Sequence, residues 1–183
     1  MYKYSLIFLF FLFIYFSAGA QLKSLNEFIP QGFTILDTAS GDLNRDSITD
    51  MVLILQNRYE NFNTDTTRPL LLLQGCGNEL YKLLARNDSV VLCFGCGGIY
   101  GDPYNGIVIK HGYFSIQHLG GSGWRWTRII TFRYIPKTKQ FILHRDAGEY
   151  WHVSDPSKTT GIINNKEDFD KLPFNKFSYA KNW

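Results

Sequence analysis

An all-β fold with minor helical content is the class that the sequence predicts, and three observations lead to it. Short runs rich in Ile, Val, Leu, Phe and Tyr recur about every ten residues, separated by Gly, Asn, Asp or Pro. Helical periodicity is scarce. Strands do not alternate with long helical segments, as a parallel sheet would require. We therefore expect a single antiparallel β domain, either sandwich-like or built like one blade of a propeller.

The first twenty residues predict export. Lys3 precedes an apolar run from Leu6 to Phe16, and Ala18-Gly19-Ala20 follows as a small-residue cleavage site. This is the order of a secretory signal peptide. A membrane anchor is the alternative, but the run is only about half of the roughly twenty residues that a span needs. We expect residues 1–20 to be a signal peptide and residues 21–183 to be one domain in the periplasm or outside the cell, with no membrane span after cleavage.

The charge balance argues against nucleic acid as the main partner. Residues 21–183 carry 18 Lys and Arg against 16 Asp and Glu, with no basic run. Proteins that bind nucleic acid concentrate Lys and Arg on one surface to contact phosphates. The expected partner is therefore an unidentified protein or a glycan.

The strands are predicted from apolar runs and turn residues. The segment 124–134 alternates best, with one apolar and one polar face, which is typical of an antiparallel sheet wetted on one side. His111-Gly112 predicts a tight hairpin, because Gly supplies the positive φ that such turns require. Exposed loops are expected at 59–68 and 154–161, and a short helical turn capped by Asn165 is expected before Pro173. The predicted strands are 33–37, 51–57, 69–74, 80–85, 90–94, 106–110, 113–118, 124–134 and 140–146.

An acidic loop precedes the predicted strand 51–57. Residues 41–50 read G-D-L-N-R-D-S-I-T-D, and the oxygen-bearing side chains alternate along the loop. Ca²⁺ takes six to eight oxygen ligands, and a tight loop with ligands at alternating positions can surround one ion. An EF-hand is excluded, since its twelfth position requires Glu and this chain has Leu53 there. The alternative is an Asp/Asn-rich turn whose side chains bond their own backbone.

The segment S-G-D-L-N-R-D-S-I-T-D-M-V-L-I resembles the calcium loop of FG-GAP or VCBS-type repeats, the blade hairpins of integrin-α-like β-propellers. That loop typically reads G-D-x-N-x-D-G-x-x-D before apolar residues. The resemblance covers about twenty residues in one copy, whereas a propeller needs several blades. Ser47 stands where the family has Gly, at a cost on the order of 1 kcal/mol if φ is positive. The resemblance implies a structural Ca²⁺ between two strands, held by the side chains of Asp42, Asn44, Asp46 and Asp50 and by the carbonyl of Ile48.

Other segments are similar to a group of small secreted bacterial proteins whose function is unknown. They are A-R-N-D-S-V-V-L-C, C-G-G-I-Y-G-D-P and H-L-G-G-S-G-W-R-W-T-R-I-I-T-F-R-Y. This resemblance covers most of residues 21–183 and implies no activity.

Three cysteines in an exported chain predict one disulfide and one thiol. The pairs Cys93–Cys96, Cys76–Cys93 and Cys76–Cys96 all remain open, because sequence does not determine connectivity. A redox role is disfavoured, since Cys93-x-x-Cys96 follows a strand rather than opening a helix. We expect a structural disulfide and one buried thiol.

The segment Trp124-Arg125-Trp126 places two indoles on one face of a strand. They are either core residues or a flat platform that stacks on a sugar or on a partner's side chains, with Arg125 on the opposite face. The preceding H-L-G-G-S-G invites a serine-hydrolase interpretation, but a nucleophile elbow leads into a helix, and this segment leads into a strand.

Taken together, the residues predict an exported, non-catalytic binding or interaction module with one structural calcium loop. The alternative is a secreted or periplasmic hydrolase that acts on glycan or peptide through the region from His118 to Trp126.

Overall fold

The structure, a computed structural model, describes residues 21–62, 66–164 and 166–179. The predicted signal peptide, residues 1–20, and the predicted cap Asn165 lie outside this range. In the described part of the chain, no helix has both the length and the apolar character that crossing a bilayer requires.

The all-β prediction is confirmed. Within the described residues, two five-stranded antiparallel sheets form, one of them curled into a half-barrel. The first sheet has the order β1-β5-β4-β3-β2 and the second has the order β10-β9-β8-β7-β6. The strands are β1 (Lys23–Ser24), β2 (Phe33–Gly41), β3 (Asp50–Asn57), β4 (Arg68–Gly75), β5 (Leu80–Val91), β6 (Tyr104–Lys110), β7 (Tyr113–Gly121), β8 (Trp124–Ile135), β9 (Gln140–His152) and β10 (Asp155–Ile163).

The core lies between the two sheets. Strands β3 and β4 contribute Leu, Ile and Val side chains, and β7, β8 and β9 contribute mainly Phe and Ile. Phe114 stacks on Phe132 with ring centroids 5.2 Å apart. The last described segment reaches into this cluster, where Phe174 and Phe177 are buried. A core shared by both sheets gives a sandwich rather than a propeller blade.

The outer face of the first sheet is also buried at its centre. Leu53 and Leu55 of β3 and Leu71 and Leu73 of β4 form a second cluster there. The 3₁₀ turn Leu25–Phe28 covers them. Burial on both faces explains why these two strands are continuous apolar runs instead of alternating ones.

Most predicted strands form close to their predicted limits, although β2 continues beyond 37 to Gly41 and three further stretches differ. The segments 80–85 and 90–94 are one strand to Val91, followed by the 3₁₀ turn Phe94–Gly97. Strand β9 continues beyond 146 to His152. The predicted loop 154–161 is wrong, since β10 forms there and pairs with β9. These stretches are polar or exposed, so their strand structure comes from pairing with a neighbour and not from an apolar pattern.

The turns follow the predicted chemistry. His111 and Gly112 connect β6 to β7 with φ of 50° and 79°, which confirms the tight hairpin. A short helical turn forms at Lys166–Asp168, as a 3₁₀ turn. A second one, Phe174–Lys176, follows Pro173 and carries Phe174 into the core.

Candidate functional site

The acidic loop joins β2 to β3, which pair antiparallel with Gly41 opposite Asp50. Asp50 is the innermost of its acids and is fully buried. Its Oδ2 accepts the amides of Leu43 and Asn44 at 2.9 and 3.2 Å, and its Oδ1 accepts the amide of Gly75 at 2.9 Å. Burial raises the pKa of the Asp50 carboxyl, against the opposite effect of these amides.

Gly75 is needed where β4 approaches the loop. A Cβ at this position would lie 2.1 Å from the carbonyl oxygen of Thr49. Only glycine allows the two backbones so close together. The sequence placed Gly75 beside Cys76 without indicating this contact, because the two segments are distant in the chain.

The outer acids of the loop bond its own backbone. Asp42 accepts the amides of Asp46 and Ser47 at 3.1 and 3.0 Å, and Asp46 accepts the amide of Ile48 at 2.8 Å. The side-chain Nδ2 of Asn44 donates to the Asp46 carboxylate at 2.8 Å. Ser47 has a φ of 67°, so the residue that replaces the expected Gly is in the left-handed region.

The side-chain oxygens of the loop are suitable ligands for a hard cation, since Ca²⁺ is bound by carboxylate, amide and carbonyl oxygens. An oxygen that accepts one amide bond keeps a second lone pair for an ion. The same bonds also fit the turn that needs no ion. In the described residues, no three His, Cys, Asp or Glu side chains are grouped as a metal-ligand set. The assignment of Ca²⁺ therefore rests on the loop's sequence and donor chemistry.

The Trp124 surface comprises Trp124, Trp126, Tyr150 and His152, on adjacent strands β8 and β9. Register places Trp124 opposite His152 and Trp126 opposite Tyr150. Trp124 is 60% exposed, and its ring centroid lies 5.1 Å from that of His152 and 5.9 Å from that of Tyr150. Trp124 is therefore not a core residue.

Trp126 and Arg125 differ from Trp124 in their surroundings. Trp126 is half-buried and packs against Gly120. A Cβ on Gly120 would lie 2.4 Å from Cζ2 of Trp126. The Arg125 guanidinium lies 4.3 Å from the centroid of Tyr100. Arg125 pairs with Trp151 across β9, on the face opposite Trp124, as the alternation predicts.

The sequence did not indicate a buried ion cluster centred on Arg68. Its guanidinium contacts Glu60 at 2.6 Å and Asp102 at 2.7 Å and donates to the carbonyl of Leu92 at 3.2 Å. The Arg68 side chain is fully buried. The partners lie 8, 24 and 34 residues away. No local pattern could have paired them.

His118 lies in the interior near this cluster and is 1% exposed. Its Nε2 accepts the amide of Leu92 at 3.4 Å, and its Nδ1 has no hydrogen-bond partner in the described residues. Burial, and then the Arg128 charge, lowers the pKa of His118 to about 3. Ser122 is exposed on the β7–β8 turn. The imidazole is thus neutral and shielded from a substrate.

Of the three candidate pairs, Cys93 and Cys96 form the disulfide, with Cα atoms 5.2 Å apart. Cys76 is free and exposed, so the expected buried thiol is wrong. The reason is its position in the turn between β4 and β5, which projects from the sheet.

Comparison with protein-family models, with curated proteins and with solved structures found no match to this chain. The candidate site is accordingly interpreted from its own geometry.

Proposed function

We propose that the protein is an exported, non-catalytic binding module whose Trp124 surface holds a carbohydrate, with the loop 42–50 as a structural calcium site. The observation that carries the proposal is the exposure of Trp124. A folded protein normally buries a Trp, and an exposed indole beside further rings provides a flat apolar face for stacking.

The polar groups beside the rings favour a sugar over an aliphatic ligand. His152 is part of the Trp124 surface, and its Nδ1 is 2.6 Å from the hydroxyl of Ser154. Ser122 is exposed on the adjacent turn. Binding sites commonly combine apolar faces with a few polar groups that fix the orientation of the ligand. A sugar ring offers an apolar C–H face for the indole and hydroxyls for these neighbours.

The role of the calcium loop in this proposal is structural. The loop joins the first sheet's β2 and β3 and contacts the second sheet, because Arg45 donates to the carbonyl of His111 at 3.0 Å. Asp42, Asn44, Asp46 and Asp50 with the carbonyl of Ile48 would hold the ion, which would supply positive charge among the three carboxylates. With the ion bound, the β2–β3 loop would be held in one conformation against the β6–β7 turn.

A binding screen tests the proposal. The chain lacking residues 1–20 is titrated with soluble oligomers of glucose, N-acetylglucosamine, mannose and xylose, and its tryptophan fluorescence is followed. We expect at least one class to change the emission saturably, because Trp124 is exposed. Hydrolysis of an oligomer that binds would support the hydrolase instead. If no class of oligomer binds, the assignment of a sugar ligand is contradicted.

A further inference from the structure

Strand β10 forms one edge of the second sheet, and β6, which contacts β2 of the first sheet, forms the other. Strand β10 pairs with β9 over Thr160 to Ile163, after an irregularity that follows Asp155. All its residues from Pro156 onward are exposed. An edge strand presents unpaired N–H and C=O groups, which another strand can pair with.

The hydrogen-bond pattern identifies the groups that face outward. The amide of Asn164 donates to the carbonyl of Asp146, so residue 164 points towards β9. Alternate residues of an antiparallel strand point the same way, which directs Ile162 and Thr160 towards β9 as well. The N–H and C=O groups of Gly161 and Ile163 therefore point away from the sheet, and the extended backbone of β10 directs those of Thr159, which precedes the first paired residue, the same way.

Within β10, Pro156, Lys158 and the irregularity in register protect the part before Thr159, but the part from Thr159 onward lacks these features. Natural edges carry Lys, Pro or inward charges that prevent pairing. In the first sheet, β5 is paired with β1 only at Leu80 and Tyr81; the rest of that strand has Lys82 and Arg86, and the turn Phe174–Lys176 contacts it. The segment 159–163 of β10 reads T-T-G-I-I and has neither a charge nor a proline. Ile162 and Ile163 are 38% and 57% exposed there.

We infer that the edge 159–163 pairs with the same edge of a second copy of this chain, joining two sheets into one across a two-fold axis. An antiparallel alignment centred on Gly161 places Gly161 opposite its counterpart and Thr159 opposite Ile163 of the second copy. These are the residues whose backbone groups point outward, so the alignment completes a ladder with both partners. The edge is thus self-complementary, as a two-fold dimer requires.

Side chains support this alignment. Thr160 faces Ile162 of the second copy, and Thr159 faces Ile163, so each cross-strand pair joins two β-branched residues, which pack well on a pleated surface. No like charges meet. The missing side chain at Gly161 leaves room on the axis, where a Cβ would find no atom of its own chain within 4 Å.

The test uses Gly161→Lys, which places two ammonium groups against each other on the axis. The same free space means that the variant retains its own fold, and its φ is not in the left-handed region. Gln140→Lys adds the same charge at the exposed first residue of β9 and is the matched control. Circular dichroism confirms that the three proteins have equal strand content.

Sedimentation velocity over a range of concentrations measures the association of each protein. We expect the wild type and Gln140→Lys to form dimers with equal affinity, and Gly161→Lys to have a dissociation constant at least about tenfold higher, since like charges directly opposite destabilise a pair. A monomeric wild type, a Gly161→Lys variant that dimerises as tightly as the wild type, or an equal loss of affinity in both variants would overturn the inference.

Hydrogen exchange of the wild type gives a second measurement that needs no variant. The amides of Thr159, Gly161 and Ile163 should become protected as concentration rises, while the amides of Lys137, Thr138 and Lys139 in the exposed turn between β8 and β9 should not change. If a dimer forms without protection of the three β10 amides, it uses another surface and the inference is wrong.

Discussion

Arg68 joins three distant segments of the chain through one guanidinium, which explains its burial. It pairs with Glu60 in the loop after β3, with Asp102 before β6 and with the carbonyl of Leu92 after β5. The two carboxylates raise the pKa of Arg68 against the effect of its burial. Arg68 therefore stays positively charged, and its removal would leave Glu60 and Asp102 without their cation.

Replacement of Arg68 by Leu should therefore destabilise the protein by about 3–5 kcal/mol, the usual cost of removing one partner from a buried ion pair. Urea unfolding at neutral pH measures the change. Arg86→Leu is the control, because Arg86 forms an exposed pair with Asp88 at 2.7 Å and its loss should cost less than about 1 kcal/mol. Equal effects of the two substitutions would contradict the structural role of Arg68.

His118 should make stability sensitive to acid. Its pKa is about 3 in the folded protein, below the ordinary value of 6.5. The unfolded chain therefore binds a proton between these values that the folded chain does not, so the free energy of unfolding falls as pH falls from 6.5 towards 3. One proton corresponds to a slope of about 1.4 kcal/mol per pH unit.

His118→Gln removes this titrating group. The free energy of unfolding of the variant should therefore fall with pH less steeply than that of the wild type, by about 1.4 kcal/mol per pH unit. Urea unfolding at a series of pH values within this window measures both slopes. Ser122→Ala, on the exposed β7–β8 turn, removes no titratable group and should retain the wild-type slope. Parallel curves for His118→Gln and the wild type would show that His118 is not the group responsible.

At the scale of elements, the acidic loop is the clearest local feature of the chain. Its position between two paired strands and the positive φ of Ser47 are seen in the structure. The calcium itself remains a prediction. Because three carboxylates lie within nine residues, a bound cation should stabilise the folded loop and have little effect on the unfolded chain.

Thermal unfolding in millimolar Ca²⁺ and in chelator tests the loop. Ca²⁺ at 100 times its dissociation constant should add about 2.7 kcal/mol and raise the midpoint. Asp42→Asn should abolish the difference, since it removes one ligand charge, and Asp168→Asn, outside the loop, should preserve it. A wild-type midpoint that is the same in both solutions would contradict the calcium assignment.

Elements with apolar patterns were predictable, and elements held by pairing were not. Strands β3 and β4 are apolar runs and were found nearly to the residue, as was the His111-Gly112 hairpin. Strand β10 has eight exposed residues among nine, so its sequence resembles a loop. Its structure comes from the register with β9, which is a non-local property. The same holds for the contact between Gly75 and Thr49.

At the scale of the whole molecule, the described residues combine a core between two sheets with the exposed Trp124 surface. The sequence identified both indoles but left their burial undecided, because the alternation of β8 does not indicate where the opposing sheet ends. The structure places Ile130 and Phe132 between the sheets and leaves Trp124, on the same face of the strand, exposed. Most of the fold was thus predictable. The exposure of Trp124 was not, because it depends on how much of β8 the first sheet covers.

The most direct test of the account is titration calorimetry of the oligosaccharide that binds in the fluorescence screen, with three proteins compared. Trp124→Ala should weaken binding at least about tenfold, since it removes the stacking face. Trp151→Ala, on the opposite face of the neighbouring strand, should bind like the wild type after its folding has been verified. Unchanged affinity in Trp124→Ala, or an equal loss in both variants, would contradict the claim that the Trp124 surface holds the ligand.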